Sequence, residues 1–133
     1  MKVIAIDLDN TILHYKKGWL GENVFGKPIV GAKIGLKKIR KLGCWIIIYT
    51  CRGNRERIGL ILKKYGILKG VHYDAINQRK YILKNSYRGK LGADIYIDDR
   101  GLMFTGNWKK TVKQVKNFKI WNEKKCQLLN QRI

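Results

Sequence analysis

Asp7 and Asp9 stand one residue apart at the end of the apolar run Val3-Ile4-Ala5-Ile6. A second apolar run, Trp45-Ile46-Ile47-Ile48-Tyr49, ends in Thr50-Cys51-Arg52, and a third, Ile95-Tyr96-Ile97, ends in Asp98-Asp99. Runs of this kind read as strands buried on both faces, and such strands pair in parallel. In an open parallel sheet ligands bind at the carboxyl ends of the strands. One sheet edge would then collect four carboxylates, a hydroxyl and nearby cations. Crowded carboxylates repel unless a cation neutralises them. His14 and His72 are far apart and no cysteine pair has a ligand spacing, so the donor set is all oxygen, which suits Mg²⁺.

The chemistry that fits is phosphoryl transfer. A carboxylate is repelled by an anionic phosphate, and Mg²⁺ bridging the two removes that barrier to in-line attack. Asp7 is the expected nucleophile, and a covalent aspartyl-phosphate would split hydrolysis into two steps. Asp9 would protonate the leaving oxygen and later take a proton from water. A hydroxyl and a lysine would hold the remaining phosphate oxygens.

The ordered motifs resemble those of the haloacid dehalogenase-like (HAD) phosphohydrolases, in the small cap-less form, over roughly residues 2–118. Asp7-Leu8-Asp9-Asn10-Thr11 is similar to the first motif, with Asn10 where many members carry glycine. Thr50 is similar to the phosphate-binding Ser/Thr of the second. Lys90 resembles the lysine of the third, with Lys80 and Lys84 as alternatives. Asp98-Asp99 resembles the acidic fourth. The resemblance implies catalytic roles for Asp7, Asp9, Thr50 and Lys90. It implies substrate contacts for Asn10, Thr11, Cys51 and Arg52, and Mg²⁺ ligation by Asp7, Asp9, Asp98 and Asp99, with Asp9 acting through its backbone carbonyl. Asp98 is favoured over Asp99 as the direct ligand because it ends its strand as Asp7 does.

The elements that must position these residues follow from periodicity. The expected fold is a single α/β domain over 1–133: a three-layer, Rossmann-like parallel sheet with helices on both faces. Residues 13–28, punctuated by Gly18, Gly21, Gly26 and Pro28, read as a flap hairpin, and the spacing leaves no room for a cap domain. Ala32, Leu36, Ile39 and Leu42 make a helical stripe stopped by Gly43; Asn54 caps a second helix with Ile58, Ile61, Leu62 and Tyr65, stopped by Gly66. Val71–Ile76 reads as a weaker strand, 77–92 as a basic loop with a short helical turn at Tyr81–Leu83, Ala93–Ile97 as a strand and Leu102–Phe104 as a short edge strand. Asn107 caps a last helix carrying Trp108, Val112, Val115 and Phe118. The tail, 120–133, docks on the core or mediates a dimer.

Lys and Arg outnumber Asp and Glu by 29 to 9, a formal charge of +20. Five of the nine acids, Asp7, Asp9, Asp94, Asp98 and Asp99, lie in the motif stretches; only Glu22, Glu56, Asp74 and Glu123 lie elsewhere. The field outside the acidic focus attracts polyanions, nucleic acid above all. An open site and a basic surface favour the phosphate end of a nucleic acid or a nucleotide, as in polynucleotide 3′-phosphatases. Arg52, Trp19 and Phe25 are candidates to touch the leaving group. A small phosphorylated metabolite is the alternative substrate, and a nucleic-acid-binding module on an inactive hydrolase fold is the alternative of another class. No run of about 18 apolar residues suggests a membrane span. The start lacks a secretory pattern, and the odd, unpaired Cys44, Cys51 and Cys126 suit a reducing cytoplasm.

Overall fold

β1 (Val3–Asp7) lies inside a four-stranded sheet, flanked by β2 (Trp45–Tyr49) and β4 (Ile95–Ile97), with β3 (Ala75–Ile76) outside β2. Every pair is parallel. The structure is a computed structural model that describes residues 1–15, 21–78 and 90–122. Trp19, Lys80, Lys84, the turn expected at Tyr81–Leu83 and the tail beyond Asn122 lie outside the described residues. The chain divides into two compact units, Met1–Asp98 and Asp99–Ile133.

Alternation along the strands sets the two faces of the sheet. Ile4 and Ile6 of β1 and Ile46 and Ile48 of β2 join one core cluster. The same cluster takes Leu36 and Ile39 from α1 (Ala32–Lys41) and Ile58 and Leu62 from α2 (Arg55–Lys64). Both helices therefore lie on that face. Ala5, Ile47 and Ala75 face the other way with Leu91, joined by Trp45 and Tyr49. Ile46, Ile47 and Ile48 are each 0% exposed, so β2 is buried on both sides, as its unbroken apolar run requires. The arrangement is an α/β fold of the Rossmann-like kind, an all-parallel sheet flanked by helices, and no cap domain stands among the described residues.

The helix ends are set by local chemistry. The Asn54 side chain accepts from Arg57 N–H at 3.0 Å and caps α2. Gly43 and Gly66 follow α1 and α2 with φ of 88° and 74°, the left-handed conformation that ends a helix and that glycine adopts without strain.

Several boundaries differ from the sequence expectation. β3 is two residues, because Val71–Tyr73 is spent on a turn in which His72 N–H donates to Leu68 O. β4 is three residues and partly exposed (Ile95 41%, Tyr96 38%, Ile97 37%), since it forms the sheet edge rather than a doubly buried strand. Asp94 holds its start: the carboxylate accepts from Val3 N–H at 2.7 Å while Asp94 N–H donates to Val3 O at 2.8 Å. Leu102–Phe104 forms no strand. The flap is paired at its base alone among the described residues, through a Leu13–Pro28 bridge and His14 N–H to Lys27 O. There the chains run so close that a Cβ on Gly26 would lie 2.0 Å from His14 O.

In the second unit, Asn107 caps α3 (Trp108–Lys116) by accepting from Lys110 N–H at 3.0 Å, and Trp108 packs on Phe104 with ring centroids 5.1 Å apart. No described helix is long and apolar enough to cross a membrane.

Candidate active site

Strand register brings the first two carboxylates together. Asp7 pairs with Tyr49, and Ile6 with Ile97, so Asp98 follows Ile97 at the edge where β1 delivers Asp7. A carboxylate oxygen of Asp7 and one of Asp98 lie within 4.8 Å of each other. Two hard oxygen donors at that separation, in a group that holds only carboxylates among the described residues, fit a hard divalent cation. Asp99 is the next residue along the chain and begins the second unit, where it faces Arg100 Nε at 3.8 Å.

Tyr49, at the end of β2, has its pKa raised, first by burial and then by the charges of Asp98, Cys51 and Asp7. Its phenol thus stays protonated beside the carboxylates, a neutral donor in an acidic corner. Tyr49 meets Tyr96 edge-on at 6.5 Å, and Lys90 Nζ sits 4.6 Å from the Tyr96 ring centroid. Tyr96 Oη donates to Leu91 O and accepts from Ala93 N–H, which fixes the ring that Lys90 covers. Lys90 is therefore placed by an aromatic ring just ahead of the strand that leads to Asp98.

Thr50 follows β2 directly. Its hydroxyl accepts from Arg52 N–H at 3.2 Å, which leaves the hydroxyl proton to donate elsewhere. Asn77 builds this turn. Its Oδ1 accepts from Thr50 N–H at 2.8 Å, and its Nδ2 donates to Thr50 O at 2.8 Å and to Arg52 O at 3.1 Å. Asn77 has a φ of 47°, in the left-handed region that asparagine tolerates better than most residues. An asparagine directly after a strand was the available signal for it, and the sequence expectation passed it over as the start of a loop.

Arg52 is 2% exposed. Its Nε donates to Asp9 Oδ2 at 2.8 Å and its Nη2 to Asp9 Oδ1 at 3.0 Å. Nη1 donates to Gly21 O and Glu22 O, and Nη2 to Val24 O. The guanidinium carbon lies 4.2 Å from the Phe25 ring centroid. This side chain clasps the flap to the sheet edge while gripping Asp9. Its expected contact with a leaving group gives way to that role, because burial and five donated bonds commit the guanidinium to the protein. Phe25 likewise packs on Arg52 and the core. Glu22 completes the clasp: its Oε1 accepts from Gly53 N–H at 2.8 Å and Asn54 N–H at 3.3 Å. A lone glutamate in a glycine-rich stretch of so basic a chain was the signal for it.

The remaining expected residues sit in the same loops. Asn10 is 2% exposed with φ of 65°, and its N–H donates to Leu13 O at 2.7 Å. Thr11 Oγ1 is buried with no hydrogen-bond partner among the described residues, a donor the fold itself does not use. Cys51 is an exposed free thiol beside Thr50. Asp74, by contrast, is structural: it binds Arg40 through Nε and Nη2 and accepts from Ile46 N–H at 2.9 Å.

No family model matches the chain, and no curated protein does. Among solved structures it is similar to a conserved protein from Bacteroides thetaiotaomicron, with 24% sequence identity and a TM-score of 0.58 over 90% of this chain and 93% of that one. That likeness concerns the fold: the α/β architecture described above is shared with a bacterial protein over nearly the whole length of both chains.

Proposed function

We propose that the protein is a Mg²⁺-dependent phosphomonoester hydrolase. The observation that carries this is the pairing of Asp7 and Asp98 within 4.8 Å, at the sheet edge that also presents Thr50 and the Arg52-held Asp9. Asp7 and Asp98 would hold the cation. The bound Mg²⁺ would neutralise the phosphate charge that otherwise repels the nucleophile.

An Asp7 oxygen attacks phosphorus, the phosphorus–oxygen ester bond breaks, and an aspartyl-phosphate forms. The leaving oxygen takes a proton from Asp9. Both Asp9 oxygens accept from Arg52 in the structure, so donation requires one of these bonds to be exchanged for the bond to the leaving oxygen. Water then attacks phosphorus, Asp9 accepts its proton, and the bond to Asp7 breaks to release phosphate. The Thr50 hydroxyl donates to a phosphoryl oxygen, and Lys90 supplies positive charge as negative charge develops.

The net charge of +20 favours a nucleic-acid or nucleotide phosphate end as substrate over a small neutral-bodied ester. Phosphate release from p-nitrophenyl phosphate with Mg²⁺ tests the reaction class, and Asp7→Asn must abolish it. A screen of 3′-phosphorylated oligonucleotides, mononucleotides and sugar phosphates tests the substrate. Preferred turnover of a sugar phosphate, unaffected by salt, would remove the nucleic-acid reading.

A further inference from the structure

A cavity of about 290 Å³ opens between α2 and β3, lined by Arg55, Glu56, Gly59, Lys69, Tyr73, Ile76 and Gln78. It is lined by the first turns of α2 and by residues on both sides of β3, Lys69 and Tyr73 before it and Gln78 after it. The strand order β3-β2-β1 puts β3 two strands from β1, about 10 Å across the sheet. Asn77, which builds the Thr50 turn, directly precedes the lining residue Gln78.

The lining mixes charged, polar and apolar groups. Tyr73 is 4% exposed, and its hydroxyl borders the cavity beside Gly59. Burial also raises the Tyr73 pKa, which keeps the hydroxyl a donor. Ile76 and Gly59 form an apolar wall, because an absent side chain at Gly59 leaves the helix backbone open there. Arg55 and Lys69 outnumber Glu56, so the cavity favours an anion. The volume is at the small end for ligand pockets and matches one compact unit rather than a long chain.

We propose that this cavity is the subsite for the nucleotide unit next to the scissile phosphate, with Arg55 and Lys69 on its backbone phosphate and Tyr73 and Gln78 hydrogen-bonding the base. The proposal rests on the nucleic-acid form of the hydrolase reading for its ligand, but its own test needs no turnover.

The test is binding of a 5′-fluorescein hexathymidylate 3′-phosphate in EDTA, read by anisotropy. Gly59→Met fills the cavity, and its Cβ meets Ile76 Cδ1 and Tyr73 Oη at an ordinary 3.9 Å, so the helix accepts it. Tyr73→Phe removes only the hydroxyl. We expect Gly59→Met to weaken binding about tenfold and Tyr73→Phe about threefold, with thermal melts and p-nitrophenyl phosphate hydrolysis as in the parent. Retained binding within twofold in both variants overturns the subsite. So does weakening confined to Arg55→Ala and Lys69→Ala, which marks diffuse charge attraction. If p-nitrophenyl phosphate is not hydrolysed by the parent, the hydrolase reading fails separately, and the binding comparison still decides the cavity.

Discussion

Arg52 and Asp9 form a two-pronged ion pair, Nε to Oδ2 at 2.8 Å and Nη2 to Oδ1 at 3.0 Å, with the arginine 2% exposed. The same guanidinium takes three flap carbonyls. One side chain thus joins the expected proton-transfer residue, the strand end that carries Thr50 and the loop that walls the site. A planar fork with five donors can do this, and an ammonium cannot.

Arg52→Lys should therefore behave as a loss and not as a conservative exchange. Lysine cannot span Asp9 and the carbonyls of Gly21, Glu22 and Val24 together. Placing an ammonium at this buried position with most of these bonds lost should cost about 3 kcal/mol or more. Urea denaturation measures this, and Arg52→Lys with parental stability would show that the clasp is not what holds the flap.

Asn77 separates backbone strain from hydrogen bonding. Asn77→Gly keeps the left-handed φ without strain but loses three bonds to the Thr50 turn. Asn77→Ala loses the bonds and adds strain. We expect Asn77→Gly to cost about 2 kcal/mol and Asn77→Ala about 1 kcal/mol more. The proposed phosphatase activity should fall in both, because the Thr50 turn is no longer held in place. Equal stability of the two variants would argue against strain at this position.

Metal binding can be read without catalysis. Asp7 and Asp98 repel across less than 4.8 Å when no cation lies between them. Mg²⁺ should raise the melting temperature in step with ligand linkage, about 2.7 kcal/mol at a hundredfold excess over Kd. Asp98→Asn should abolish the Mg²⁺ response. An undiminished Mg²⁺ shift in Asp98→Asn would place the cation elsewhere.

Asp7→Asn touches both proposed roles of that carboxylate, attack on phosphorus and cation binding. Loss of the proposed nucleophile should lower phosphate release by about a thousandfold or more, with the fold intact by circular dichroism. Residual activity within tenfold would exclude Asp7 as the attacking group.

His72 sets an acid-side limit on stability. It is 5% exposed, and its pKa is lowered, first by burial and then by the charges of Lys33 and Lys37. Its Nδ1 accepts from Leu68 N–H at 2.9 Å, which requires an unprotonated nitrogen. A depressed folded pKa means that the unfolded chain takes up the proton first. The stabilisation is complete above the unfolded value of about 6.5. It is lost as pH falls from there through the lowered folded pKa. Urea titrations at pH 7.5 and pH 5 should show this loss, and His72→Gln should flatten the slope between those pH values.

The apolar runs at 3–6 and 45–49, the cap residues Asn54 and Asn107 and the stop glycines Gly43 and Gly66 were legible because each depends on its neighbours in the chain. Period, capping and φ preference are short-range properties, and they sufficed for a parallel α/β sheet with acids at its strand ends. The roles of Arg52, Glu22 and Asn77 were not legible, because their partners lie 25 to 43 residues away. Nor was the brevity of β3 and β4, since an apolar run carries no mark of whether it lies at the sheet's edge or in its centre. Asp7 and Asp9 themselves illustrate the division. Their presence at the end of β1 is written in nine consecutive residues. That Asp7 meets Asp98 while Asp9 turns to Arg52 was decided by parallel register and by the flap, because a carboxylate's partner depends on which other strand ends the fold brings within reach.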